Sequence, residues 1–575
     1  NQSAGIITTG TLTGSSAGST TLNQANRIGT LGSFSAANFN LTNAQALTVS
    51  GPLTTTGNSG DISLTTTSGA LAVDADLQGA VIALTSADNL SLSRNLTCTT
   101  VALVSGGNIN QSAGIITAST LNGSSVGTTT LNGANMVGTL GSFSATSFAL
   151  TNAQTLSVTG PVSGGASTVL TTTAGNLAIN GAINGTTTTL KSAAAISEGA
   201  GGNITANTLN GQSAGATSLT GANHIGTLGS FSAAGFGLTN AQTLAVTGPV
   251  NGGVSTVLTT TAGDLAINGA VSGATTTLKS AGAISEGAGG VITATTLSGQ
   301  SAGATNLTGI NHVSTLGGFS AAGFGLTNAQ ALTVSGPVNG GASTTLTTTA
   351  GDLAIDGAVS GTTTTLKSAG AISEGAGGGI TANLLTGHSV GNTTLDGNNH
   401  INILGSFTSD FSLTNAQTLT VVGPLDGGPS VTLTTTAGDL VISGAITGTT
   451  TTLKSAGAIS EGAGGSIFAS TLNGQSAGAT SLNGTNHIGT LGSFRASNFS
   501  LTNAQALTVG GSVSGGASTA LTTTAGDLAI NAAVSGTSTT LKSAGAISEG
   551  AGGVIAAGTL SGQAAGTTTL GSATR

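Results

Sequence analysis

Residues 231–290, FSAAGFGLTNAQTLAVTGPVNGGVSTVLTTTAGDLAINGAVSGATTTLKSAGAISEGAGG, decide the fold. Within DLAINGAV, Leu265 and Ile267 fall on one face and Ala266 and Asn268 on the other, the period of two that marks a strand. The apolar runs are short. Between them stand the turn formers Asn251-Gly252-Gly253, Asn268-Gly269, Ser272-Gly273 and Gly287-Ala288-Gly289-Gly290, whose glycines reach positive φ at little steric cost. No stretch shows the i, i+3, i+4 pattern with caps that a helix needs. Leucines followed by Thr or Lys recur at Leu238, Leu258, Leu278, Leu307 and Leu326, in steps of 20, 20, 29 and 19. Short strands, Gly/Asn corners and a coil of roughly 20 residues predict an all-β chain wound as a parallel β-helix, or β-solenoid, each strand pairing with its copy in the next coil. A hairpin-built sandwich is the alternative, but it gives no reason for insertions to come in steps of one coil.

Outward from this stretch the whole chain of 575 residues repeats. The phenylalanine closing TLGSF or its variant recurs at Phe34, Phe143, Phe231, Phe319, Phe407 and Phe494, spaced 109, 88, 88, 88 and 87. The glutamine of LTNAQ recurs at Gln45, Gln154, Gln242, Gln330, Gln417 and Gln505, spaced 109, 88, 88, 87 and 88. Two phases agree on a unit of 88, and the first spacing exceeds it by 109 − 88 = 21, one more coil, matching the extra text VIALTSADNLSLSRNLTCTT around Leu84. The expected organisation is one continuous solenoid over 1–575: a partial repeat 1–33, then 34–142 with the extra coil, 143–230, 231–318, 319–406, 407–493, and a partial 494–575. Roughly 27 coils rising ~4.8 Å each predict a rod on the order of 130 Å long. The chain starts and stops in mid-pattern, with neither a signal-like leader nor an apolar run of membrane length, which reads as a segment of something longer.

Composition narrows the function classes. Only 5% of residues are charged, against roughly 25% in ordinary globular domains, so Thr, Ser, Asn and Gly must carry solubility. Stacked coils explain this: like lies over like at about 4.8 Å, so charges repel while Thr, Val and Ile form favourable ladders. A net charge of −8 without a basic block argues against nucleic acid or an anionic membrane as partner. A single cysteine, Cys98, excludes an internal disulfide and reads as a small buried residue.

Each tempting constellation has a plainer explanation. G-x-S-x-G occurs around Ser213, Ser301, Ser389 and Ser476, but once per repeat, and Ala564 stands at that place in the last copy, so a glycine corner is expected rather than a nucleophile elbow. His224, His312, His400 and His487 share one phase with Arg27 and Met136, and a ligand position would not tolerate Arg; successive copies also lie too far apart to share an ion, and His388 stands alone. Lys191/Glu198, Lys279/Glu286, Lys367/Glu374, Lys454/Glu461 and Lys542/Glu549 read as solvated or loosely paired. Asp264, Asp352, Asp439 and Asp527 recur in TTTAGDLAI, where Asn176 stands earlier. Asp264 and Glu286 are 22 apart, so they are expected to stack as a carboxylate pair, the one candidate for acid/base or Ca²⁺ chemistry, short of calcium's six to eight oxygens. Sugar cleavage needs two close carboxylates and sugar binding commonly adds aromatic platforms, yet Trp and Tyr are absent and the 13 Phe fall mostly in pairs such as Phe231 and Phe236. Ice binding by stacked T-x-T arrays is also disfavoured, because Thr259-Thr260-Thr261 follows Leu258 whereas Thr275-Thr276-Thr277 precedes Leu278. The residues therefore point to no catalytic, cofactor or metal site and to a protein that is not an enzyme.

The strings GSFSAAGFGLTNAQTLAVTGPV, TTTAGDLAINGAV, LKSAGAISEGAGG and ITATTLSGQSAG resemble the repeat region of filamentous-haemagglutinin-like bacterial surface exoproteins, large β-solenoid adhesins exported by two-partner or type V secretion. The resemblance implies a right-handed parallel β-helix at the Gram-negative cell surface or outside the cell, with roles in adhesion, biofilm or contact between cells. It implies as partners a second copy of the chain, end to end or lateral, a host or neighbouring-cell surface, or a polysaccharide. The function expected is thus a rigid extracellular stalk or scaffold, the alternative being a subunit of a filament built by end-to-end coil stacking.

Overall fold

The alternation read in DLAINGAV is realised strand by strand. The computed structural model describes residues 1–571, in two units, Asn1–Thr293 and Ala294–Arg575. Both are all-β; a short 3₁₀ turn at Thr56–Asn58 is the only helical element among the described residues.

In the first unit Ser147–Asn152 runs parallel to Ser167–Thr172, which runs parallel to residues 187–192 of Ala182–Ser192, which pair with residues 208–213 of Asn203–Ser213. The successive steps are 167 − 147 = 20, 187 − 167 = 20 and 208 − 187 = 21, so the fold is the parallel solenoid expected from the period. Alternate side chains turn inward and stack: Leu150, Leu170 and Leu190 form one column, at most 1% exposed. Each such leucine removes apolar surface from water at about 25 cal/mol per Å². The text around Leu84 forms one complete coil, with Val81–Ser86 pairing on one side with Asp61–Thr66 and on the other with residues 100–105. Cys98, in Leu96–Ser105, is only half-buried, not fully inside as expected, because it lies in the outward-leaning stretch TCTT between the buried Leu96 and Val101. Burial still pushes its thiol up to about 11.

The second unit repeats these relations. Ser343–Thr348 pairs with residues 363–368, and those pair with 384–389. Leu404, Val421 and Ile442 continue one inward column that ends at Glu461.

Phenylalanine marks a corner in both units. Phe143 and Phe148 meet at a centroid distance of 4.6 Å, and Phe231/Phe236, Phe319/Phe324, Phe407/Phe411 and Phe494/Phe499 do so at 4.7–4.8 Å. Phe143, Phe231, Phe407 and Phe494 ride over Gly123, Gly211, Gly387 and Gly474 of the preceding coil, and a Cβ on Gly211 would approach Phe231 Cε2 to 2.6 Å. That corner must be glycine because the ring occupies the side-chain space.

Candidate functional site

That glycine is also the first of a G-x-S-x-G. Ser213 is buried, its hydroxyl donating to Gly215 O at 2.7 Å and lying 2.8 Å from Thr217 Oγ1. Ser301, Ser389 and Ser476 repeat the arrangement. These serines tie a corner together from inside, so the motif arises from coil packing: glycine under a ring, serine turned inward, glycine at the bend.

The histidine phase faces out. His224, His312 and His400 are exposed, as are Arg27 and Met136 at the same position. His388 lies outside the core as well, paired in register with Lys367 and Thr408. His487 is half-buried, stacked on the ring of Phe468 with centroids 4.9 Å apart and planes at 10°. Among the described residues no three His, Cys, Asp or Glu side chains come together as a metal cage.

The acidic residues depart from expectation in two ways. Asp264 and Glu286 do not stack: Glu286 lies beside Ile267, whereas the Asp264 carboxylate accepts from Ala283 N at 2.8 Å. The coil on this side takes only 284 − 265 = 19, which carries Glu286 past Asp264. Asp352, Asp439 and Asp527 make the same bond to Ala371, Ala458 and Ala546. They cap the neighbouring coil's backbone.

Nor are the recurring glutamates solvated partners of lysine. Lys191, Lys279, Lys367, Lys454 and Lys542 are exposed, but Glu198 closes the inward column Leu121, Leu140, Val158, Ile179. Its Oε2 accepts from Gly221 N at 2.7 Å and Asn223 Nδ2 at 3.0 Å, while buried Oε1 has no partner. Glu374 and Glu461 repeat this with Gly397 and Asn399, and with Gly484 and Asn486. Burial holds all three carboxyls above their usual range, against the opposing pull of these hydrogen bonds; the charge of Asp396 raises Glu374 further. The cause is alternation: Ile196 points in, so Glu198, two positions on, points in as well.

Two buried asparagines per copy hold this corner, and the sequence shows one of them only as part of a marker string. Asn223 and Asn240 stack in register and are 0% exposed. Asn240, the asparagine of LTNAQ, accepts from Ile225 N at 2.8 Å and donates to Ile225 O and Gln242 O at 2.9 Å. Asn223 accepts from Ile204 N at 2.7 Å. Paired on every side, these amides satisfy backbone groups where the chain turns without ladder partners. The visible signal is a polar residue recurring at fixed phase beside an apolar run.

The threonine triplets stay out of register, because Leu258 stacks on Leu278 and so Thr259 lies beside Lys279. No family model, curated protein or solved structure matches this chain.

Proposed function

We propose that the chain is a non-enzymatic structural fibre of the cell surface or extracellular space, a β-solenoid stalk or scaffold of an adhesin-like exoprotein. One observation carries this: the recurring serines, asparagines and glutamates turn inward to hold coils together and the recurring aspartates bond the next coil's backbone, while the outward histidine phase varies, as Arg27, Met136 and His224 show. A catalytic centre needs the reverse, fixed chemistry facing a substrate. The likeness of the repeat to filamentous-haemagglutinin-like surface proteins supports the location, and the scarcity of charge and cysteine fits export of an unfolded chain. Stability in such a stack approximates a sum over neighbouring coils, which suits a spacer.

The test is labelling of intact source cells with antibodies against the purified chain. Surface label removed by external protease is the expected result, and label seen only after permeabilisation overturns the location. Polymer that grows with concentration in sedimentation would favour the filament subunit over the stalk.

A further inference from the structure

Twelve of the 13 Phe form the six corner pairs, and Phe468 is the one left over. Its phase holds Thr117, Thr205, Thr293 and Thr381 in earlier copies and Ala556 in the last. The position faces outward between the buried Ile467 and Ala469, and the ring is 40% exposed. The fold does not need an aromatic there. We propose that the groove beside Phe468 is a binding site for a neutral polysaccharide.

The groove is shallow and open to solvent, about 500 Å³, and is lined by Phe468 with Thr447, Thr449, Ser470, His487 and Gln505. Stacking on His487 fixes the ring, so little side-chain freedom remains to be lost on binding. A pyranose presents a C–H face that fits an aromatic ring and a rim of hydroxyls that fits hydroxyl, imidazole and amide groups. No Lys, Arg, Asp or Glu lines the groove, so the imidazole of His487 is the one ionisable group it offers an anionic glycan or a phosphate. A peptide strand would need free main-chain edges, and here Ala445–Ser455, Ser466–Ser476 and Thr480–Arg495 already pair with one another.

The corresponding groove one copy earlier supplies the contrast. There Thr381 replaces Phe468, and the amides engage each other: Gln417 Nε2 donates to Asn402 Oδ1 at 2.7 Å, and Asn402 Nδ2 to Asn383 Oδ1 at 3.1 Å. Beside Phe468 those two asparagines are Gly489 and Ser470, which leaves the Gln505 amide without that partner. Glycine also stands at the Asn402 position in other copies, as Gly29, Gly138 and Gly226, so the bridged amides are particular to that one copy, and what the Phe468 copy adds is an aromatic platform beside a glutamine that no asparagine bridges.

This goes beyond the scaffold role, and either can fail without the other. Isothermal titration of the full chain with cellohexaose, maltohexaose and chitohexaose, and with heparin as the anionic probe, tests it. The expected result is binding of at least one neutral hexaose, weakened at least tenfold by Phe468→Thr, which restores the residue of the other copies and so keeps the fold, and several-fold by Gln505→Ala. Binding of heparin alone, binding indifferent to Phe468→Thr, or no binding to any neutral hexaose overturns it.

Discussion

Gln111 and Glu198 occupy the same socket in two copies of the first unit, yet they fill it differently. Gln111 closes the column Leu31, Val49, Val73, Leu92 as Glu198 closes its own. The amide donates to Gly114 O at 3.0 Å and Asn135 Oδ1 at 2.8 Å, and accepts from Gly133 N at 3.1 Å and Asn135 Nδ2 at 2.9 Å. The carboxylate of Glu198 makes only the two accepting bonds and leaves Oε1 buried and unpartnered. The socket asks for a group that donates and accepts; charge is incidental to it and opposes burial.

The largest effect is expected from removing the shared asparagine. Asn223→Leu leaves the Glu198 charge and Ile204 N–H short of partners and costs about 3 kcal/mol of local stability at pH 7, whereas Asn135→Leu, beside a neutral amide, costs about 1 kcal/mol less. Hydrogen exchange over the adjoining coils measures both, and equal losses would break the comparison. Next comes the reciprocal exchange. Glu198→Gln stabilises and Gln111→Glu destabilises by about 1 kcal/mol each, at the low end because solvent partly reaches the carboxyl; two changes of the same sign would refute the socket's preference.

Titration sharpens the same point. The Glu198, Glu374 and Glu461 carboxyls lie above their ordinary 4.5 in the folded chain, so the native state holds more protons than the unfolded one. Their contribution is fully present below pH 4.5 and is lost as pH rises through the folded values. Urea midpoints of the native chain are therefore expected to fall as pH rises from 4.5 toward neutrality, and to fall less in the triple Glu→Gln variant; a parallel pH profile counts against these three groups. The smallest effect belongs next door: His224→Arg, adjacent to Asn223 but exposed, is expected to stay within about 0.5 kcal/mol. A larger shift would move the energetics from the socket to its rim.

What the sequence made legible follows from what is periodic. Leucines one coil apart do stack, the Leu84 text does make one coil, and the threonine triplets do miss each other, because register in a solenoid is counting. Counting with a mean coil fails where coils differ: the separation 286 − 264 = 22 between Asp264 and Glu286 overshoots a coil that takes 284 − 265 = 19 there. Hydrophobicity fails where the interior is polar. Charged residues usually lie outside, and that expectation misplaces Glu198, although its distance of two from Ile196 puts it on the core face. The asparagines look like spelling because only their three-dimensional partners reveal what they satisfy. Phe468 is present in the text as an exception to the pairing of phenylalanines, but its exposure comes only from the fold.

The glycine beneath each phenylalanine bears on heredity. Gly14, Gly123, Gly211, Gly387 and Gly474 each lie one coil before the phenylalanine that covers them, and the contact crosses from the end of one copy into the start of the next. Any copy that ends in such a glycine can receive any copy that begins with such a ring. Unequal recombination within the gene would therefore join matched ends, so copy number can change without passing through misfolded intermediates.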